Sequence, residues 1–195
     1  MQECRITATD LACRRGDRVL FSNLSLTLRP GEAVRVAGAN GVGKSSLIRI
    51  LAGLLRPFAG KVERGGAVGL LDERPALDPY APLASALAFW RGIDGADAAE
   101  AQRLERLGLT DLLDVPVGYL STGQTKRAAL ARLIGQRAPI WLLDEPLNGL
   151  DTQAVQLTEQ LASEHCHAGG ICVIASHQPF AMAGLETLNL TDFTA

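Results

Sequence analysis

Apolar residues come in short runs along this chain, bounded by glycine, proline or polar residues, and the spacing within each run predicts an element. Residues 6–9 and 25–28 read as short strands, the second alternating polar and apolar before a turn at Arg29, Pro30 and Gly31. Residues 33–37 form a β-compatible run, and Leu47, Ile50, Leu51 and Leu54 then recur at helical spacing within 46–55. Residues 56–69 are punctuated by glycine and proline, with 61–63 as a hairpin edge, and 67–71 read as another short strand. Segments 83–90 and 96–107, alanine- and leucine-rich with helical periodicity, predict a small helical insertion in which Phe89 and Trp90 pack. A helix from about residue 125 to 134 follows, with Ala129, Leu130 and Leu133 in register. Beyond it come a buried strand at 140–143, a helix at 152–165 and a β-branched buried run at 171–175.

Between the run at 33–37 and the next helix lie Gly38, Ala39, Asn40, Gly41, Val42, Gly43, Lys44 and Ser45, which fit the phosphate-binding pattern G-x-x-x-x-G-K-[ST] at every fixed position. Its glycines let successive N–H groups turn inward on phosphate oxygens with no Cβ in the way. Lys44 is then placed to reach the β- and γ-phosphates, and Ser45 to offer its hydroxyl to Mg²⁺. Ser46 opens a helix whose N-terminus adds N–H donors and a positive dipole end.

The strand at 140–143 runs into Asp144, Glu145 and Pro146. Carboxylates at the end of an apolar strand, downstream of a phosphate loop, suit two roles: Asp144 holds Mg²⁺ through its water shell and Glu145 faces the attacking water. The run at 171–175 delivers Ser176, His177 and Gln178 at its own C-terminal end. Open parallel α/β sheets bind ligands at that edge, so His177 is expected beside Asp144 and Lys44. Leu120, Ser121, Thr122, Gly123 and Gln124 lead into the helix near 125, and the turn at 148–151 opens the helix at 152.

A chain of 195 residues can bury one sizeable core with a small satellite. The net charge of -2 supplies no global basic field, so nucleic acid is not an expected partner. No apolar run approaches the roughly 18 to 20 residues that span a bilayer, and residues 1–10 lack a signal-peptide core, so a soluble or peripheral protein on the cytoplasmic side is expected. Cys4, Cys13, Cys166 and Cys172 lack C-x-x-C spacing and read as reduced, mostly buried residues. His165, Cys166 and His167 invite a metal or haem reading, but they precede Gly169 and Gly170, where a helix ends and its dipole favours histidine anyway.

Taken in order, these motifs resemble the ATP-binding subunits of ABC transporters over residues 6–178. Residues 38–45 are similar to Walker A, 120–124 to the signature motif, 140–145 to Walker B with its catalytic glutamate, Leu150 and Asp151 to the D-loop, and His177 to the switch histidine. The resemblance implies an α/β P-loop NTPase of ABC type, with a mixed sheet core, a β-rich N-terminal layer and an inserted helical subdomain. The core would be 1–82 and 135–195, and the subdomain 83–134. It further implies a head-to-tail dimer with a second copy of the chain, each ATP lying on Walker A of one copy and under the signature residues Ser121, Thr122, Gly123 and Gln124 of the other, with Asp151 near it. Glu145, His177 and Lys44 would be catalytic, and Ser45 and Asp144 would hold Mg²⁺.

Weaker cues resemble the ATPases of the cytochrome c maturation (Ccm) haem-export system: the short length, residues 19–25, Thr122 in the signature, residues 141–147, and Gly169 and Gly170 ahead of Ser176, His177 and Gln178. That implies docking of two copies on a membrane permease like CcmB, with CcmC-like and CcmD-like subunits, near residues 73–80 of this chain. Three positions depart from the family pattern. Arg74 stands where a Mg²⁺-sensing glutamine is usual, so either Glu73 substitutes or the metal relies on Ser45, Asp144 and water. Arg15 takes the place of an adenine-stacking aromatic, a role that a planar guanidinium can fill. Thr122 adds a small side chain where glycine is commonest.

Overall fold

The computed structural model describes residues 4–95 and 98–194. Strands β1 (Arg5–Arg15) and β2 (Arg18–Leu28) form an antiparallel hairpin, and β4 (Ala59–Gly65) pairs antiparallel with the other side of β1. Each arm of the hairpin is 11 residues long, far longer than its sequence pattern predicts. Register shifts interrupt the pairing after Ala8, Leu11 and Cys13, and Asp10 and Asn23 adopt left-handed backbone at φ 49 and 56. A bulge inserts a residue and breaks the period-two alternation, so only the regular ends of each arm read as strand.

The second sheet is wholly parallel, in the order β5 (Val68–Leu71), β6 (Ile140–Asp144), β7 (Ile171–Ala175), β3 (Ala33–Ala37), β8 (Glu186–Asn189). Parallel and antiparallel pairing are thus divided between two sheets. Every residue of β6 and β7 is buried, which explains their unbroken apolar runs: both faces are covered. On one face, Val34, Val36, Ile140, Leu142, Ile171 and Val173 pack with helix α1 (Lys44–Ala52) and with Phe21 and Leu24 of the hairpin. On the other, Trp141, Leu143, Cys172 and Ile174 pack with apolar residues of the later helices α2 (Leu83–Asp94), α3 (Glu100–Arg106), α4 (Thr122–Gly135) and α5 (Thr152–His167). Strand β8 carries no apolar run, being an edge strand with mostly exposed side chains, and its pairing to β3 is what reveals it.

Helix α2 runs through Gly92 and is closed by Gly95 at φ 96. The expected helix at 96–107 begins instead at Glu100; Ala96 and Asp97 lie outside the described residues. Trp90 packs as expected, with the Arg132 guanidinium 3.7 Å from its ring centre and its indole N–H donated to the Ala76 carbonyl. Phe89 does not: it is 63% exposed and meets Trp90 edge-on. All four cysteines are free thiols, Cys4 half-buried and the others buried. Among the described residues, no helix is long and apolar enough to cross a membrane.

Candidate functional site

Strand β3 ends at Ala37, and the chain turns through residues 38–43 into α1. The turn is too tight for side chains at two points. Gly38 has φ 147, and a Cβ there would lie 2.9 Å from Val42 Cγ1; Gly43 has φ 118, and a Cβ would lie 3.2 Å from the Phe21 ring. Lys44, only 6% exposed, curls back so that Nζ donates to the carbonyls of Gly38 at 2.9 Å and Ala39 at 3.3 Å. The same ammonium stands 3.5 Å from Glu145 Oε1.

Parallel pairing of β6 beside β7 brings two strand ends to this loop. Ser45 Oγ donates to Asp144 Oδ1 at 3.0 Å. Asp144 is buried, and burial pushes its carboxyl above the ordinary aspartate range; Glu145 and Glu73 push the same way, against the Ser45 hydrogen bond and Arg49. Glu145 is held at every polar group. Its N–H donates to the Ala175 carbonyl at 2.8 Å, its Oε2 meets His177 Nδ1 at 2.8 Å, and its carbonyl accepts from Lys126 Nζ at 2.6 Å. Its backbone lies in the left-handed region at φ 47, a conformation that costs a non-glycine residue roughly 1 kcal/mol or more.

Around these groups opens a cleft of about 350 Å³ lined by Arg15, Asn40, Gly41, Gly43, Lys44, Ser45 and Ser46 from one side and by Glu73, Glu145, Asn148 and His177 from the other. Arg15, Lys44, Ser45, Glu145 and His177, scattered over more than 160 positions, therefore share one cavity. Loop amides, an ammonium and a histidine suit a polyphosphate, and the serine–aspartate pair suits a hard divalent cation, which takes oxygen ligands.

Residues 21–148 match the family model described as ABC transporter. The chain is 61% identical over 193 residues to the "Cytochrome c biogenesis ATP-binding export protein CcmA" of Novosphingobium aromaticivorans, an alignment that spans 99% of each chain. It belongs to the CcmA group of ABC transporter ATP-binding proteins. The protein of the same description from Zymomonas mobilis is 49% identical over 98% of this chain and 86% of its own. Among solved structures, a metal-chelate type ABC transporter in an inward-facing conformation superposes with a TM-score of 0.79 over 98% of this chain and 81% of its own, at 24% identity, a likeness of fold. As an ABC ATPase, the chain binds and hydrolyses ATP.

Not every ABC motif reaches the Lys44 cleft. Ser121 caps α4: its Oγ accepts from the Gln124 N–H at 3.3 Å, and Gln124 Oε1 accepts from the Ser121 N–H at 2.8 Å. This reciprocal box starts α4 at Thr122, three residues before the start expected near 125. Thr122 lines a neighbouring groove with Asp72, Glu73, Lys126 and Gly149, and its methyl would lie 2.8 Å from a Cβ on Gly149. Asp151 Oδ1 accepts from the Ala154 N–H at 2.8 Å and caps α5. Ser121, Thr122, Gly123, Gln124 and Asp151 are absent from the lining of the Lys44 cleft.

At the departure from the family pattern, Glu73 faces the cleft and Arg74 does not line it; the Arg74 N–H is tied to Asp72 Oδ1 at 2.9 Å. Of the two histidines near the end of α5, His165 stacks on Trp141 at 3.9 Å and meets the Pro139 carbonyl, while His167 bonds the Ser163 carbonyl one turn back. No three His, Cys, Asp or Glu side chains among the described residues converge as a metal cluster. Two residues that sequence reasoning did not single out now matter: Asn148 in the cleft and Lys126 on the Glu145 carbonyl. Neither had a readable signal, because both are polar residues in a turn or on a helix that already had an explanation.

Proposed function

We propose that this chain is the ATP-hydrolysing subunit of a haem-handling export system for c-type cytochrome biogenesis, acting by export or by release of a loaded haem chaperone. The observation that carries this reading is the convergence of Lys44, Ser45, Asp144, Glu145 and His177 on one strand edge, in a chain 61% identical over its whole length to a cytochrome c biogenesis export ATPase. In this reading residues 38–46 wrap the phosphates of ATP, Lys44 exchanges its loop carbonyls for phosphate oxygens, and Arg15 stacks on the base. Ser45 and Asp144 hold Mg²⁺, which when bound neutralises charge on the β- and γ-phosphates. Glu145 polarises the attacking water, and His177 holds the Glu145 carboxylate while stabilising charge on the transferred phosphoryl group.

Exposure of Ser121 at the start of α4, outside the Lys44 cleft, supports a head-to-tail dimer in which Ser121, Thr122, Gly123, Gln124 and Asp151 of one copy close the ATP site of the other. Residues 83–134 would act as the helical signature subdomain, and residues 1–82 with 135–195 as the ATPase core. The two copies dock on a CcmB-like permease, with CcmC-like and CcmD-like subunits, at the cytoplasmic face of the bacterial inner membrane. The test is steady-state ATP hydrolysis by the chain alone and with a CcmB-like permease in vesicles, alongside Glu145→Gln. Activity that rises with the permease and vanishes in the variant is expected. ATP binding without turnover in either setting overturns the catalytic assignment.

A further inference from the structure

Lys126 is the fifth residue of α4, one turn and a half beyond the helix cap at Ser121. Its side chain leaves the helix and crosses to the end of β6, where Nζ donates at 2.6 Å to the backbone carbonyl of Glu145. The residue is half-buried, and burial lowers its pKa, opposed by the negative field of Glu73, Glu145 and Asp144. The carbonyl it holds belongs to a residue in left-handed backbone, whose N–H is fixed separately by Ala175. A non-glycine residue stays in that conformation only where its surroundings over-determine it. With its N–H held by Ala175 and its carbonyl held by Lys126 and, at 3.4 Å, by the Asn148 N–H, the two peptides flanking Glu145 set the direction in which its side chain leaves the backbone, and so the place of its carboxylate between Lys44 and His177.

We propose that Lys126 is a positioning residue for ATP hydrolysis, clamping the Glu145 peptide so that its carboxylate points at the attacking water. The clamp joins the signature helix to the hydrolytic centre of the same copy. A displacement of α4 therefore reaches the Glu145 carbonyl directly, through the Lys126 ammonium. This inference rests on Glu145 as the water-polarising residue.

The experiment is steady-state kinetics of the full chain with Lys126→Met and Lys126→Arg, with Glu145→Gln run beside them. Misplacing a catalytic group by about 1 Å can cost on the order of 10²-fold, so Lys126→Met is expected to lower kcat about 10- to 100-fold while KM for ATP changes less than about two-fold. Lys126→Arg, which keeps a cationic donor of similar reach, is expected to stay within about three-fold of the parent. Turnover at the parent's rate in Lys126→Met, a change confined to KM, or equal losses in both variants overturns the proposal. If Glu145→Gln still turns over, the reading of Glu145 itself fails; if Glu145→Gln is dead while Lys126→Met is unimpaired, only the clamp fails.

Discussion

His177 Nδ1 and Glu145 Oε2 meet at 2.8 Å across the ends of two adjacent parallel strands, β7 and β6. The Glu145 carboxylate is only 12% exposed and His177 is 41% exposed, so the pair is anchored at the acid and open at the imidazole. His177→Ala should leave ATP binding nearly intact and lower kcat about 10²-fold, the usual cost of one oriented charge-stabilising group. Steady-state hydrolysis with a separate nucleotide-binding titration checks this, and a loss confined to binding would count against it.

Asp144 ionises at a cost, since burial raises its pKa in the folded chain. A carboxyl whose folded pKa exceeds its unfolded one makes the nucleotide-free protein gain stability as pH falls through the folded value and lose it as the group ionises above it. Asp144→Asn removes that arm. Thermal melting of the nucleotide-free variant should rise by about 2–4 °C, or roughly 1 kcal/mol, while Mg²⁺-supported turnover is lost.

Glu73 and Arg74 stand where the resemblance to ABC ATPases leads one to expect a Mg²⁺-sensing glutamine. Because Glu73 lines the cleft and Arg74 does not, Glu73→Ala should weaken activation by Mg²⁺ about ten-fold, whereas Arg74→Ala should leave it within about two-fold. Mg²⁺ titrations of ATPase activity separate the two, and the opposite ranking would return the role to Arg74.

Stacked on Trp141 and half-buried, His165 has a pKa pushed below the ordinary histidine value by burial, against hydrogen bonds to Pro139 and Ile171. Its lowered pKa gives stability that is present above the unfolded value near 6.5 and lost as pH falls toward the folded one. Denaturant melts between about pH 7.5 and pH 5 should show this acid loss, and His165→Gln should flatten it.

What the sequence determined by itself is chiefly what lies close together along the chain. The phosphate loop is eight consecutive residues with fixed chemistry, and buried parallel strands announce themselves as apolar runs ending in candidate site residues: Asp144 closing β6 with Glu145 after it, Ser176 and His177 after β7. Local pattern failed where local regularity fails. Bulges near Asp10 and Asn23 hid two-thirds of the hairpin, and β8 has no apolar face to declare it. The tertiary structure alone decided that Glu73 rather than Arg74 enters the cleft, and that Lys126 reaches the Glu145 carbonyl. The reason is geometric. A side chain's type is written at its own position, but its direction depends on where a bend, a cap or a neighbouring strand places the backbone beneath it, and packing of distant segments fixes that.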